Sequence, residues 1–161
     1  MKTNRKYPPD FPLGRRLGLL SRLYYGALLK KFEQLDIDRH FSVLLILDSE
    51  KGNCSQQHIS DLLGTDKTIM VRMIDYLAAE GFIKRVDDPS DRRAYHIRLT
   101  PKGKKLVPRI RKGMQDLNQT SFKGLNKKET ENFYRTMDIM YENLIQQPSH
   151  PVKEALKRPR K

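Results

Sequence analysis

"SQQHISDLLGTDKTIMVRMIDYLAAEGFIKRVDDPSDRRAYHIRLTPKG", residues 55–103, decides the fold. Ser55 stands at an N-cap position, and Gly64 closes a helix of about two and a half turns. Thr65 or Asp66 caps the next helix, which Gly81 stops. Two short helices joined by so brief a link form a helix-turn-helix pattern. "FIKRV" and "YHIRLT" then read as strands flanking a turn at Asp87, Asp88, Pro89, Ser90 and Asp91. Tyr95, Ile97 and Leu99 share one face of the second strand. That apolar face anchors the hairpin and presents Arg92 and Arg93 at its tip.

The faces of the second helix separate cleanly. Met70, Met73, Ile74 and Leu77 form an inward stripe, whereas Lys67, Thr68, Val71, Arg72 and Asp75 face away. Taken alone, the outer face reads as a solvated helix surface. With the hairpin directly behind it, the reading becomes a recognition helix in the major groove, where arginine donates twice to guanine and a methyl touches thymine. A narrow minor groove concentrates negative potential and attracts an arginine inserted from a wing tip.

The same stretch resembles the DNA-binding lobe of the MarR family of transcriptional regulators. The most specific pieces are "DYLAAEGFIKR" and "DPSDRRAYHIRLTPKG". They match the family's L-x-x-x-G-hydrophobic pattern and its D-x-R wing followed by L-T-x-x-G. Helices before and after the lobe match in number and length, so the resemblance spans nearly everything except the arms. It implies a homodimer with intertwined terminal helices on a roughly palindromic operator. It also implies that Arg93 is the minor-groove arginine and that Asp91 pairs with Arg72, bracing the wing. Ser60 stands where the family usually has alanine, and Thr65 replaces a usual apolar residue. Val71 occupies a position where a small hydroxyl is frequent, so a hydroxyl reader becomes a methyl reader.

Charge agrees with such a partner. The 161 residues carry a net charge of +13 and a pI near 9.9, which favours acidic partners: nucleic acid or anionic membrane surfaces. An ordinary basic surface is the plainer reading of that charge. Apolar residues make up 37% and charged residues 32%, consistent with one folded but very polar domain. No apolar run approaches the roughly 20 residues a membrane span requires, and no secretory signal opens the chain. The single cysteine, Cys54, rules out an intramolecular disulfide framework. A cytoplasmic protein is expected.

Outside the lobe, Leu13, Leu17, Leu20, Tyr24 and Leu28 recur at helical spacing, continued by Phe32 and Leu35. "FSVLLILDSEKG" reads as a short apolar helix ending near Gly52. Beyond the hairpin, one helical stretch carries Leu106, Ile110, Met114, Leu117 and Phe122. A second carries Phe133, Met137, Met140 or Tyr141, and Leu144. The expected fold is mainly α with one small β-hairpin wing: a winged helix-turn-helix with terminal dimerisation helices. Its single domain covers residues 13–147, with the lobe at 40–100 and dimerisation helices at 13–35 and 101–147. Residues 1–12 form a basic arm and 148–161 a basic tail, which is either simply solvated or an auxiliary phosphate contact.

Catalytic and metal-binding signals are weak. No Ser-His-Asp set, phosphate-binding glycine loop or paired-carboxylate motif is evident, so no enzyme and no cofactor are expected. His40, His58, His96 and His150 are scattered, and no second histidine follows His58 at ligand spacing. With one cysteine, a thiolate-rich zinc site cannot form in a monomer; a mixed histidine and carboxylate site is the remaining route, and no metal is expected. Cys54 just precedes the Ser55 cap. A helix N-terminus there would lower its pKa and make it reactive, while a structural thiol is the plainer reading. By family resemblance, an effector pocket lies between the dimerisation helices and the lobe. Tyr24, Tyr25, His40 and Phe41 suit its lining and a small phenolic or anionic ligand, though they read equally well as core.

The function these readings support is a sequence-specific, dimeric transcriptional regulator. It would be a repressor that binds double-stranded DNA and is released by a small effector. The rival is a weakly specific architectural DNA-binding protein, which the basic arms favour.

Overall fold

The computed structural model describes residues 8, 10–35, 37, 40–51, 54–87 and 95–148. The chain divides into two compact units, Met1–Ser121 and Phe122–Lys161. The first contains α1 (Leu13–Phe32), a 3₁₀ turn (Glu33–Leu35), α2 (Phe41–Ser49), α3 (Gln56–Leu63), α4 (Lys67–Ala79), β1 (Ile83–Asp87), β2 (Tyr95–Leu99) and α5 (Pro101–Ser121). The second contains α6 (Lys127–Ile145). This is the mainly helical winged helix-turn-helix expected from the sequence.

Local chemistry sets each boundary of the lobe. Ser55 accepts a hydrogen bond from the His58 amide at 3.1 Å, and Gly64 ends α3 in the left-handed region at φ 57°. Of the two caps considered for α4, Asp66 is the one used: its carboxylate accepts from the Thr68 amide at 2.8 Å. That bond, then a second from the Thr68 side chain, holds the Asp66 carboxyl below its ordinary pKa. Ser60, unusual for the family at its position, is buried and donates to the Thr65 carbonyl at 2.5 Å. Its hydroxyl therefore closes the turn between the two helices. The apolar helix α2 ends at Ser49 with Glu50 as its C-cap, and Lys51 takes the left-handed conformation at φ 54°.

The wing pairs Ile83 with Leu99, Lys84 with Arg98, Arg85 with Ile97, Val86 with His96 and Asp87 with Tyr95. Ile97 is fully buried and Leu99 nearly so, which is the anchoring face expected. A further tie was not legible: the Ile97 amide donates to the Cys54 carbonyl at 2.8 Å, an isolated bridge that adds a third edge to the hairpin.

The L-T-x-x-G segment has a physical cause. Thr100 Oγ1 donates towards the carbonyls of Gly81 (2.7 Å) and Phe82 (3.1 Å), and accepts from the Gly103 amide at 3.2 Å. This arrangement brings the first turn of α5 against the start of β1. A Cβ on Gly103 would meet the Phe82 carbonyl oxygen well inside van der Waals contact. No side chain larger than hydrogen fits there.

Burial divides the helices. Met70, Ile74 and Leu77 of α4 are fully buried and Met73 is half-buried, as the inward stripe requires. In α1, only Leu28 and Phe32 are buried. The stripe read through Phe122 runs one residue too far. Phe122 follows α5 in the second unit, packing edge-on against Phe133 and Tyr134, each at 5.5 Å. Asn126 and Glu129 form a reciprocal capping box at the start of α6. None of that helix's residues is buried.

Candidate nucleic-acid interface

The outer face of α4 carries the residues the sequence assigned to DNA. Lys67, Thr68, Val71, Arg72 and Asp75 are all exposed. Ile69, which the stripe analysis did not single out, is exposed by 51% on the same N-terminal half. An exposed isoleucine and valine beside Thr68 give this surface apolar groups of the kind that touch thymine methyls. Its signal in the sequence was simple: an apolar residue off the inward stripe.

Asp91, Arg92 and Arg93 lie outside the described residues, as does the Asp91–Arg72 pairing. Among the described residues, a different pair joins recognition helix and wing. Arg85 Nη2 of β1 meets Asp75 Oδ1 of α4 at 2.5 Å. The guanidinium also sits 5.4 Å from the centre of the Tyr95 ring, and the Tyr95 hydroxyl donates to Gln56 Oε1 at 3.0 Å. One chain of contacts thus runs from α4 through β1 and β2 to α3. The hydrogen bond to Asp75 raises the Arg85 pKa against the opposing pull of partial burial.

The opposite face of the hairpin is cationic. Lys84 and Arg98 are directly cross-strand and both exposed. Like charges in that relation destabilise a free hairpin and suit one facing a polyanion.

Cys54 is fully buried, and burial, then the nearby Glu50 carboxylate, raises its thiol pKa. The lowering that a helix N-terminus would bring is not found. Beside it stand two further ligand types that the histidine spacing did not suggest. One donor atom each from Glu50, Cys54 and His58 lies within 4.8 Å of the others.

The four effector-pocket candidates are placed differently from one another. Tyr24 donates its hydroxyl to Asn118 Oδ1 at 2.7 Å, and Tyr25 is exposed. His40 meets the Tyr76 ring edge-on at 5.1 Å. Phe41 is buried and stacks edge-on against Phe32 at 5.1 Å. None of the four lines the open depression of about 480 Å³ between the end of α1 and α5. Lys31, Arg109, Lys112 and Asp116 line it with Phe32 and Leu35.

Comparison with known proteins agrees with this geometry. Residues 38–95 match the model of the MarR family. A MarR transcriptional regulator from Methanosarcina mazei Go1 is 31% identical, with a TM-score of 0.75 over 82% of this chain and 95% of that one. The chain belongs to the MarR family. It is a DNA-binding winged-helix regulator of transcription, and the family is one of regulators, not enzymes. Two other solved structures share the fold. A mutant MarR from E. coli complexed with operator DNA is 24% identical, with a TM-score of 0.72 over 84% of this chain and 94% of that one. BpsR of Bordetella bronchiseptica, whose DNA binding is regulated by 6-hydroxynicotinic acid, is 22% identical, with a TM-score of 0.74 over 84% and 97%. Among the described residues, no helix is long and apolar enough to cross a membrane.

Proposed function

We propose that this MarR-family chain is a sequence-specific repressor, acting as a homodimer and released from its operator by a small anionic effector. The observation that carries the DNA reading is the joined surface of α4 and wing. Lys67, Thr68, Ile69, Val71 and Arg72 face outward, Arg85 of the wing is tied to Asp75 of the same helix, and the in-register cations Lys84 and Arg98 are exposed on the hairpin's other face. On this reading Arg72 contacts a base edge, while Arg92 and Arg93 reach the neighbouring backbone and minor groove. Asp91 pairs with Arg72 as a second brace. Residues 1–12 and 148–161 act as basic arms around a domain spanning 13–147.

The dimer reading rests on the terminal helices. Leu13, Leu17, Leu20 and Leu23 of α1 are exposed by 41–66%, and Met137, Ile139, Tyr141 and Leu144 of α6 by 46–63%. Apolar stripes of that length normally mark an interface. Two recognition helices must then match half-sites about 34 Å apart. An effector switches such a dimer only by binding one separation better than the other.

The cavity beside Phe32 suits an anion with an aromatic ring. Lys31, Arg109 and Lys112 supply cations, although Asp116 already engages Lys112 at 2.6 Å. Phe41 meets Phe32 edge-on, Tyr25 packs on Phe41 and Tyr24 on Tyr25, a line of rings through which binding would reach α2, while His40 meets Tyr76 of α4. The E. coli complex with operator DNA and the BpsR response to 6-hydroxynicotinic acid are parallels for the two halves of this proposal.

Selection of bound sites from random DNA tests the reading. The expected result is a palindromic motif bound at least about 10³-fold more tightly than random sequence. A ratio near unity, with no enriched motif, would instead establish the weakly specific architectural protein.

A further inference from the structure

The geometry points to a divalent transition-metal site formed by Glu50, Cys54 and His58, in the link between α2 and the helix-turn-helix. Glu50 follows the last turn of α2, Cys54 forms the bridge to β2, and His58 stands in the first turn of α3. Their donor atoms all lie within 4.8 Å of one another, and His58 Nε2 is 3.8 Å from Glu50 Oε2. In a tetrahedral zinc site, bond lengths of about 2.0–2.3 Å set donor atoms roughly 3.3–3.7 Å apart. Closure therefore requires separations to shrink by about 1.5 Å at most.

The parts that must move are the ones free to do so. Glu50 and His58 have side chains 44% and 47% exposed, whereas Cys54 is fully buried and held through its carbonyl to Ile97. The Ser55 cap fixes the offset between Cys54 and His58 by holding the His58 amide. Thiolate, imidazole and carboxylate together are the donor mixture of a borderline-soft cation such as zinc. On binding, a metal–sulfur bond forms and the thiol proton passes to solvent. Thiolate and carboxylate then cancel the 2+ charge. Three protein ligands leave the fourth position to water. The bound cation fastens the end of α2 to the first turn of α3 and, through the Cys54 main chain, to the wing.

The test uses the full-length, reduced protein stripped of metal with a chelator. Cobalt(II) titration should give a sulfur-to-metal charge-transfer band that saturates at one equivalent per chain and is displaced by zinc, with zinc also raising the thermal unfolding temperature. Cys54→Ser should abolish the band. Because Cys54 is buried, the exposed variants Glu50→Gln and His58→Ala provide the independent check. With circular dichroism unchanged, each should weaken metal binding at least about tenfold, the scale on which even outer partners of a metal count. No charge-transfer band at excess cobalt would overturn the site. So would a band unaffected by both exposed substitutions, since that is a thiol binding alone.

Discussion

α4 and α1 are written with the same apolar rhythm and meet opposite fates. Met70, Ile74 and Leu77 are fully buried, and α4 packs against α3 and β1 of the wing, so the recognition helix is held by its own chain. Leu13, Leu17 and Leu20 repeat at comparable spacing yet remain 59%, 41% and 55% exposed. Periodicity identifies which face of a helix is apolar, not what covers it. At about 25 cal/mol per Å², the α4 stripe supplies stabilisation within the chain, whereas the α1 and α6 stripes supply it only on association. A regulator gains from this division, since the lobe stays intact while the separation of two lobes adjusts.

The largest effect should come from charging a terminal stripe. Met137 and Leu144 of α6 are 46% and 61% exposed, so Met137→Glu with Leu144→Glu should leave helix content unchanged in circular dichroism. An uncompensated charge buried at an interface costs about 3–5 kcal/mol. Sedimentation equilibrium should therefore show a monomer at micromolar concentration, with operator affinity reduced at least about 100-fold. Wild-type sedimentation by this variant would make α6 an ordinary surface helix and remove the contrast.

Next in size is one chemical change made in both regions. Gly103→Ala forces a methyl against the Phe82 carbonyl where α5 meets the wing, and should cost about 1–3 kcal/mol in urea unfolding. Gly18 of α1 has nothing within 4 Å of the added methyl, so Gly18→Ala should stabilise by about 0.5–1 kcal/mol. A loss at Gly18 instead would mean that a partner helix approaches α1 on that side as well.

What the sequence made legible follows the same line. Ser55, Asp66, Gly64 and Gly81 act within a few residues of themselves, and the alternation of Tyr95, Ile97 and Leu99 is a period-two signal. These gave both helices of the motif and both strands of the wing. Contacts between distant positions left no such trace. The Cys54–Ile97 bridge, the Tyr95–Gln56 bond and the Asp75–Arg85 pair join residues that no local period relates. Phe122 stands five residues after Leu117, off the three-to-four rhythm of the α5 stripe, and the helix ends before it at Ser121. Of the candidate site, the exposed face of α4 was readable because exposure there is the complement of the inward stripe. The cavity beside Phe32 was not, since a void depends on how two helices separate.

The smallest effect concerns how firmly the wing is joined to the recognition helix. The sequence resemblance nominates Asp91 with Arg72, and the geometry supplies Asp75 with Arg85 at 2.5 Å. On the proposed reading both acids would stand near DNA, so simple electrostatics predicts that removing either tightens binding. A brace predicts the reverse. The Asp75 and Arg85 side chains are 55% and 37% exposed, which limits their coupling to about 0.2–1 kcal/mol after solvent screening. Asp75→Ala should nonetheless weaken operator binding, and the double variant with Arg85→Ala should cost less than the two single losses summed. The same four-protein cycle on Asp91 and Arg72 shows whether the wing has one tether or two. Additive losses in a cycle eliminate that pair as a tether. Tighter binding by Asp75→Ala would mean that the recognition helix keeps its place without the wing, and that the lobe is less of a single piece than its buried core suggests.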